Sequence, residues 1–167
     1  MIIKYTNYSD GVHYIELKKS AGKLNLGEPF KGDVLLNCKM DKSLSQIVFD
    51  CDLTVKADLT CDRCTKDFTS ELNSKFQIIY LFSKDEVDEE ELNVHYLSPE
   101  SDKIDLSEDT IEYCMLAIPL KVLCDENCKG LCPRCGTDLN EKTCDCEKEK
   151  TNPIWEELQK LKDRTNN

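Results

Sequence analysis

In QIVFDCDLTVKADLT, residues 46–60, the apolar side chains Ile47, Phe49, Cys51, Leu53, Val55, Ala57 and Leu59 fall on odd positions, with Val48 alone out of phase. A helix would scatter these residues around its circumference, whereas a strand places them on one face. A period of two held over thirteen residues therefore predicts a long, half-buried strand, with Cys51 in the core. CDRC follows, Cys61 to Cys64, and then a second alternation through Phe68, Leu72, Phe76, Ile78, Tyr80 and Phe82. The two runs predict a long antiparallel hairpin with CDRC near its tip.

Shorter signals flank this hairpin. Val12/Tyr14, Ile15/Leu17 and Leu24/Leu26 form small apolar clusters, and Val34, Leu36, Cys38 and Met40 occupy every second position. Gly11, Gly22, Gly27, Pro29 and Gly32 punctuate them, so strands and turns are expected through residue 45. Asp105 and Glu108 read as a capping box before DTIEYCMLAI. Ile111, Cys114, Met115 and Ile118 then keep helical spacing until Pro119, which predicts a helix near 106–118 with Cys114 in the core. A second helix is expected from Asn152, with Pro153 at its first position and an apolar face of Ile154, Trp155, Leu158 and Leu161. The expected fold class is α+β: mainly antiparallel strands with a long hairpin, one internal helix, a Cys-rich tail and a C-terminal helix. The expected division is 1–120, a β-rich domain with an acidic segment at 83–112, and 121–167, the Cys-rich tail with the terminal helix.

Charge is unevenly spread along the chain. The net charge of −11 argues against loose binding to nucleic acid. Residues 1–82 carry 11 basic and 11 acidic side chains and residues 121–167 carry 9 and 10, but residues 83–120 carry 2 and 12. The acid is thus concentrated in the middle, above all in DEVDEEE at 85–91, which reads as a solvated loop or as a docking surface for a basic partner. The first residues lack the apolar run of a signal peptide, and no stretch approaches the length of a membrane span. A cytoplasmic setting is expected, with no membrane partner. Thiols stay reduced there, so clustered cysteine points to metal ligation or redox chemistry rather than to disulfides.

Eleven cysteines are many for 167 residues, and six of them lie in CDENCKGLCPRCGTDLNEKTCDC, residues 124–146. In CPRCG a Cys-x-x-Cys turn aims two sulfurs at one spot, while Pro133 fixes one backbone angle and Gly136 allows a sharp turn after the second ligand. This is a zinc-knuckle pattern. The first expectation is one zinc held by Cys132, Cys135, Cys144 and Cys146. The second replaces the downstream pair with Cys124 and Cys128. Six thiolates holding two metals do not fit the spacing expected of a six-cysteine binuclear site, and an iron–sulfur cluster also accepts four cysteines. For Cys61 and Cys64 three readings stay open: a metal half-site that meets the tail cysteines in space, a structural turn, or a redox pair. The redox reading is disfavoured because a thioredoxin-type pair opens a helix in a βαβ setting.

The sequence has no Gly-rich phosphate loop, no Ser or Cys nucleophile with a suitable His, and no HExxH. The acids at 85–91 lie on a polar run without apolar walls to shift a pKa. His13 and His95 have no Cys or His neighbour at ligand spacing and read as structural. No enzyme and no small-molecule substrate are expected.

A CxRC at the end of an alternating strand, a helix ending LAIPLKVLC, then C-KGLCPxCGxDLN…C-C and an Asn-Pro before IWEELQKLK together resemble the YceD family, the large ribosomal RNA subunit accumulation proteins. The resemblance covers roughly residues 30 to 165. It rests on Cys61, Arg63, Cys64, Cys124, Cys128, Gly130, Leu131, Cys132, Pro133, Cys135, Gly136, Leu139, Asn140, Cys144 and Cys146. It implies a non-enzymatic role in making or stabilising large-subunit ribosomal RNA. Some relatives keep the CxRC and lack the tail cysteines, which implies that the tail metal is a stabilising module and that Cys61 and Cys64 need not depend on the tail.

Two routes to such a role are physically open. In one, Arg63 and Lys66 at the hairpin tip, with Lys129 and Arg134 in the tail, clamp ribosomal RNA phosphates. In the other, the acidic segment captures a basic ribosomal protein or assembly factor, a contact that weakens with salt. The charge distribution favours the second. A redox-sensitive zinc-binding interaction protein is the alternative from another class.

Overall fold

The computed structural model describes residues 1–84 and 93–146. The acidic run at 85–91 and the expected helix from Asn152 lie outside the described residues.

Among the described residues seven strands and one α-helix follow in order: β1 (Ile2–Ile3), β2 (Gly11–Ser20), β3 (Phe30–Lys42), β4 (Gln46–Thr60), β5 (Asp67–Leu81), β6 (Val94–Tyr96), β7 (Ile104–Asp105) and α1 (Ser107–Leu116). Five strands make one sheet in the order β2-β3-β4-β5-β6, and β1 pairs with β7. β2 through β5 form an antiparallel meander, while β6 returns parallel to the end of β5. β4 and β5 are each 15 residues long and pair from Gln46↔Leu81 to Thr60↔Asp67, so Cys61 leaves the sheet at the tip.

The odd residues of β4 all point inward: Ile47, Phe49 and Ala57 are fully buried, and Cys51, Leu53, Val55 and Leu59 nearly so. Leu36 and Met40 from β3 and Ile78 from β5 share this face. α1 covers part of it through Cys114, and the Tyr113 ring stacks on Phe76 with centroids 4.0 Å apart. The opposite face carries cross-strand ion pairs at the surface, Lys39–Asp50 and Lys75–Asp52 among them. On β2 the apolar residues split between faces: Ile15 and Leu17 pack on the core, while Val12 and Tyr14 point outward.

Three local expectations change. The helix begins at Ser107 with no side-chain cap at Leu106, so there is no capping box; the Asp105 carboxylate instead accepts from the Ser107 amide at 3.0 Å. The helix ends at Leu116, three residues before Pro119, and leaves Met115 exposed rather than on the buried face. Cys38 and Cys51, expected as reduced thiols, are joined by a disulfide. The register sets them directly opposite one another on β3 and β4 with Cα atoms 4.2 Å apart, close enough for the two sulfurs to meet. Among the described residues no helix is long and apolar enough to cross a membrane.

Candidate metal centres

Cys61 continues the odd, inward phase of β4 past its last paired residue and is 1% exposed. The chain then reverses. The Cys61 amide donates to the Lys66 carbonyl at 2.9 Å and the Thr65 amide to the Cys61 carbonyl at 2.9 Å, with Thr65 in the left-handed region at φ 58°. This turn brings Cys64 back beside Cys61. The stretch after α1 is tied to the same turn: the Asp62 amide donates to the Val122 carbonyl at 2.8 Å, and the Asp62 carboxylate accepts from the Val122 amide at 2.7 Å. Cys124 lies two residues further on. A second turn, closed by the Cys128 amide on the Asp125 carbonyl at 3.0 Å, carries Cys128 to the tip.

Cys61, Cys64, Cys124 and Cys128 thus converge, with all four sulfurs within 4.8 Å of one another. The Cys61–Cys128 sulfurs are 3.8 Å apart and the Cys64–Cys124 sulfurs 3.6 Å. A tetrahedral ion with metal–sulfur bonds of about 2.3 Å has sulfur–sulfur edges of about 3.8 Å, so the spacing fits a four-coordinate metal and is too long for disulfides. Three of the four cysteines are buried, and Phe68, Leu123 and Leu131 pack around them.

The second group is Cys132, Cys135, Cys144 and Cys146, again with sulfurs within 4.8 Å of one another. In its knuckle the Gly136 amide donates to the Cys132 carbonyl at 2.9 Å, and Gly136 takes φ 71°. The Cys132 amide donates to the Thr137 carbonyl at 2.8 Å, and Leu131 bridges to Asp138. This group is more open: Cys132 is buried, but Cys135 is exposed. Either group could hold a metal ion.

Each group distributes its protons unevenly. The Cys124 backbone N–H, opposed by desolvation and helped by the amides of Cys64 and Arg63, lowers the Cys61 thiol to about 6. Cys124 is pushed up to about 12, first by its contact with the Cys64 sulfur and then by burial. In the second group Thr137 lowers Cys135 to about 6, while contact with Cys135 raises Cys146 to about 12. The lowered thiols, Cys61 in the first group and Cys132 and Cys135 in the second, ionise first and raise the cost of the others, so four thiolates together call for a cation.

The first expectation for the tail, Cys132 with Cys135, Cys144 and Cys146, coincides with the second group. The alternative is corrected: Cys124 and Cys128 group with Cys61 and Cys64 rather than with the knuckle. Arg63, a candidate for RNA contact, is exposed and also reaches onto the tail. Its guanidinium donates to the Cys128 carbonyl at 2.7 Å and the Glu126 carbonyl at 3.3 Å, and its own carbonyl accepts from the Leu131 amide at 3.0 Å. Lys66, Lys129 and Arg134 are exposed at this end of the molecule.

A family model described as "Large ribosomal RNA subunit accumulation protein YceD" matches residues 49–162, more than half of the chain and both cysteine groups. The chain belongs to the YceD family. A chloroplast protein of Arabidopsis thaliana, "Large ribosomal RNA subunit accumulation protein YCED homolog 1", is 33% identical over 69 residues, covering 41% of this chain and 22% of that protein. This YceD chain therefore spans about a fifth of that relative's length. No solved structure matches.

Asp62 and Asn140 also belong to the site, and their contacts were not read from sequence. Asp62 docks the chain that follows α1, and no sequence pattern signals that role. Asn140 stood inside the YceD motif GxDLN, but nothing in the motif says that its amide reaches Cys128 at 3.4 Å.

Proposed function

We propose that this chain is a non-enzymatic factor in large ribosomal subunit biogenesis that supports accumulation of large-subunit ribosomal RNA, and that each four-cysteine group holds one zinc ion. The YceD match, which runs through both groups, carries the ribosomal reading. Four convergent sulfurs with no His or carboxylate among them carry the zinc reading. Bound zinc would supply folding energy to a tail too small to build its own core, on the order of 10 kcal/mol or more per structural site. The chain's own residues do the rest: Asp62 and Arg63 fix the tail on the hairpin tip, and the two turns aim the sulfurs.

The partner that fits best is a basic ribosomal protein or assembly factor captured by the acidic middle of the chain. Arg63 supports this choice over direct RNA contact, because its guanidinium holds backbone carbonyls of the tail. A cytoplasmic setting with reduced thiols at both groups belongs to the same reading. The test is gradient sedimentation of lysate from cells producing the protein. Co-migration with large-subunit precursors, lost when the acids at 85–91 are neutralised, supports the account. A protein that stays at the top of the gradient, with unchanged large-subunit RNA on depletion, contradicts it. Retained association after neutralisation, together with loss on Lys66→Glu and Lys129→Glu, would transfer the contact to RNA.

A further inference from the structure

We propose that Asn140 is a positioning residue for the first metal centre: from the loop of the second centre it donates a hydrogen bond to the Cys128 thiolate and so couples metal retention at the two centres. The proposal rests on the metal reading above.

Asn140 lies between Cys135 and Cys144, the two halves of the second centre's ligand set. Its side chain is directed at the first centre. The side-chain oxygen accepts from the Lys129 amide at 2.7 Å. The side-chain nitrogen donates to the Asp138 carboxylate at 2.7 Å and to the Cys128 sulfur at 3.4 Å. These partners fix which end of the amide is which: a backbone N–H needs an acceptor, a carboxylate needs a donor, and the remaining N–H is left for sulfur. Asn140 therefore holds Cys128 twice, at its sulfur and at the peptide that follows it.

The surrounding backbone makes this link stiff. The Asn140 amide donates to Asp138 at 2.8 Å, and the Leu139 amide donates to the Gly130 carbonyl at 2.9 Å. Only Lys129, Gly130 and Leu131 separate Cys128 from Cys132, so a ligand of each centre lies on one short strip of chain that Asn140 and Leu139 grip. An N–H donated to a metal-bound thiolate spreads its charge and fixes its direction, and losing such a partner costs about 10- to 100-fold in metal affinity. Loosening the second centre's loop withdraws that donor from the first.

The test compares wild type with Asn140→Ala and Asn140→Asp, using zinc content, zinc release to a chromogenic chelator, and ¹¹³Cd NMR of the cadmium-loaded proteins. Asn140→Asp keeps an acceptor for the Lys129 amide but cannot donate to sulfur, and it adds negative charge beside thiolates. The expected result is two metals per chain in all three proteins, with one zinc leaving roughly 10- to 100-fold faster in both variants and the aspartate no better than the alanine. The ¹¹³Cd resonance that moves should be the one missing from Cys64→Ser. Cys144→Ser should also speed loss from the first centre, and adding Asn140→Ala there should change little further. Wild-type release in both variants, or full rescue by Asn140→Asp, overturns the proposal while leaving the zinc reading intact. A wild-type protein without zinc removes both.

Discussion

At Gly130 the tail presses closely on the hairpin tip. A Cβ built there would lie 2.8 Å from the Arg63 carbonyl oxygen, and the backbone has φ +75°. Both the space and the left-handed conformation exclude other residues. Gly130→Ala should therefore weaken tail docking by about 1–3 kcal/mol, read as earlier metal loss and a lower denaturant midpoint for the tail, with the sheet's own transition unchanged. Asp109 gives a pH-dependent case on the other side of the molecule. Burial lifts its carboxyl above the usual range, against the pull of His95, whose Nε2 lies 3.7 Å away. Well below about pH 4 the group is neutral in both folded and unfolded chains. As pH rises the unfolded chain ionises more readily, so stability falls. Asp109→Asn should raise the melting temperature at neutral pH and leave it nearly unchanged in acid. A lower melting temperature at neutral pH would mean that the contact with His95 outweighs the desolvation.

Among the elements, β4 is the spine of the fold, because both its edges are paired and one of its faces is covered. Leu53→Ala should cost about 2–5 kcal/mol of unfolding free energy. Lys75→Ala breaks a surface pair with Asp52 across the same hairpin and should cost under about 1 kcal/mol. Denaturant melts of the two variants check the contrast, and similar losses would mean that the two faces are not distinguished as described. The alternation that marks β4 was legible because every core-facing position obeys it, and it runs on to Cys61. β2 was less legible, since its apolar residues serve both faces. The start of α1 was misread because Asp105 bonds two residues ahead rather than three. The CPRCG knuckle with Cys144 and Cys146 could be read from spacing, being local. The other group could not be singled out, since Cys61 and Cys124 are far apart in sequence and are brought together by tertiary contacts such as those of Asp62, Val122 and Arg63. At this scale chelation should release the tail from the tip and leave the β3–β5 strands in place. Hydrogen exchange that quickens in 122–146 but not in 47–59 is the expected result. Loss of protection in both would make the sheet itself metal-dependent.

Across the whole molecule, the two ends differ in kind. One is a hydrophobic sheet-and-helix core. The other is a cluster of turns held by eight sulfurs, where hairpin and tail are joined through Cys61, Cys64, Cys124 and Cys128. Under the proposed function, zinc would set the shape of an end whose backbone is nearly all turn, and a ribosomal role would depend on that shape together with the acidic middle of the chain. The pairing of the CDRC turn with the tail is what joins these two ends. Native mass spectrometry of anaerobically purified protein tests it most directly. Two zinc ions per chain are expected, with one lost in Cys64→Ser, the other lost in Cys144→Ser, and both lost in the double variant. One zinc in the wild type, unaffected by Cys64→Ser, or an iron-bearing coloured protein would contradict it.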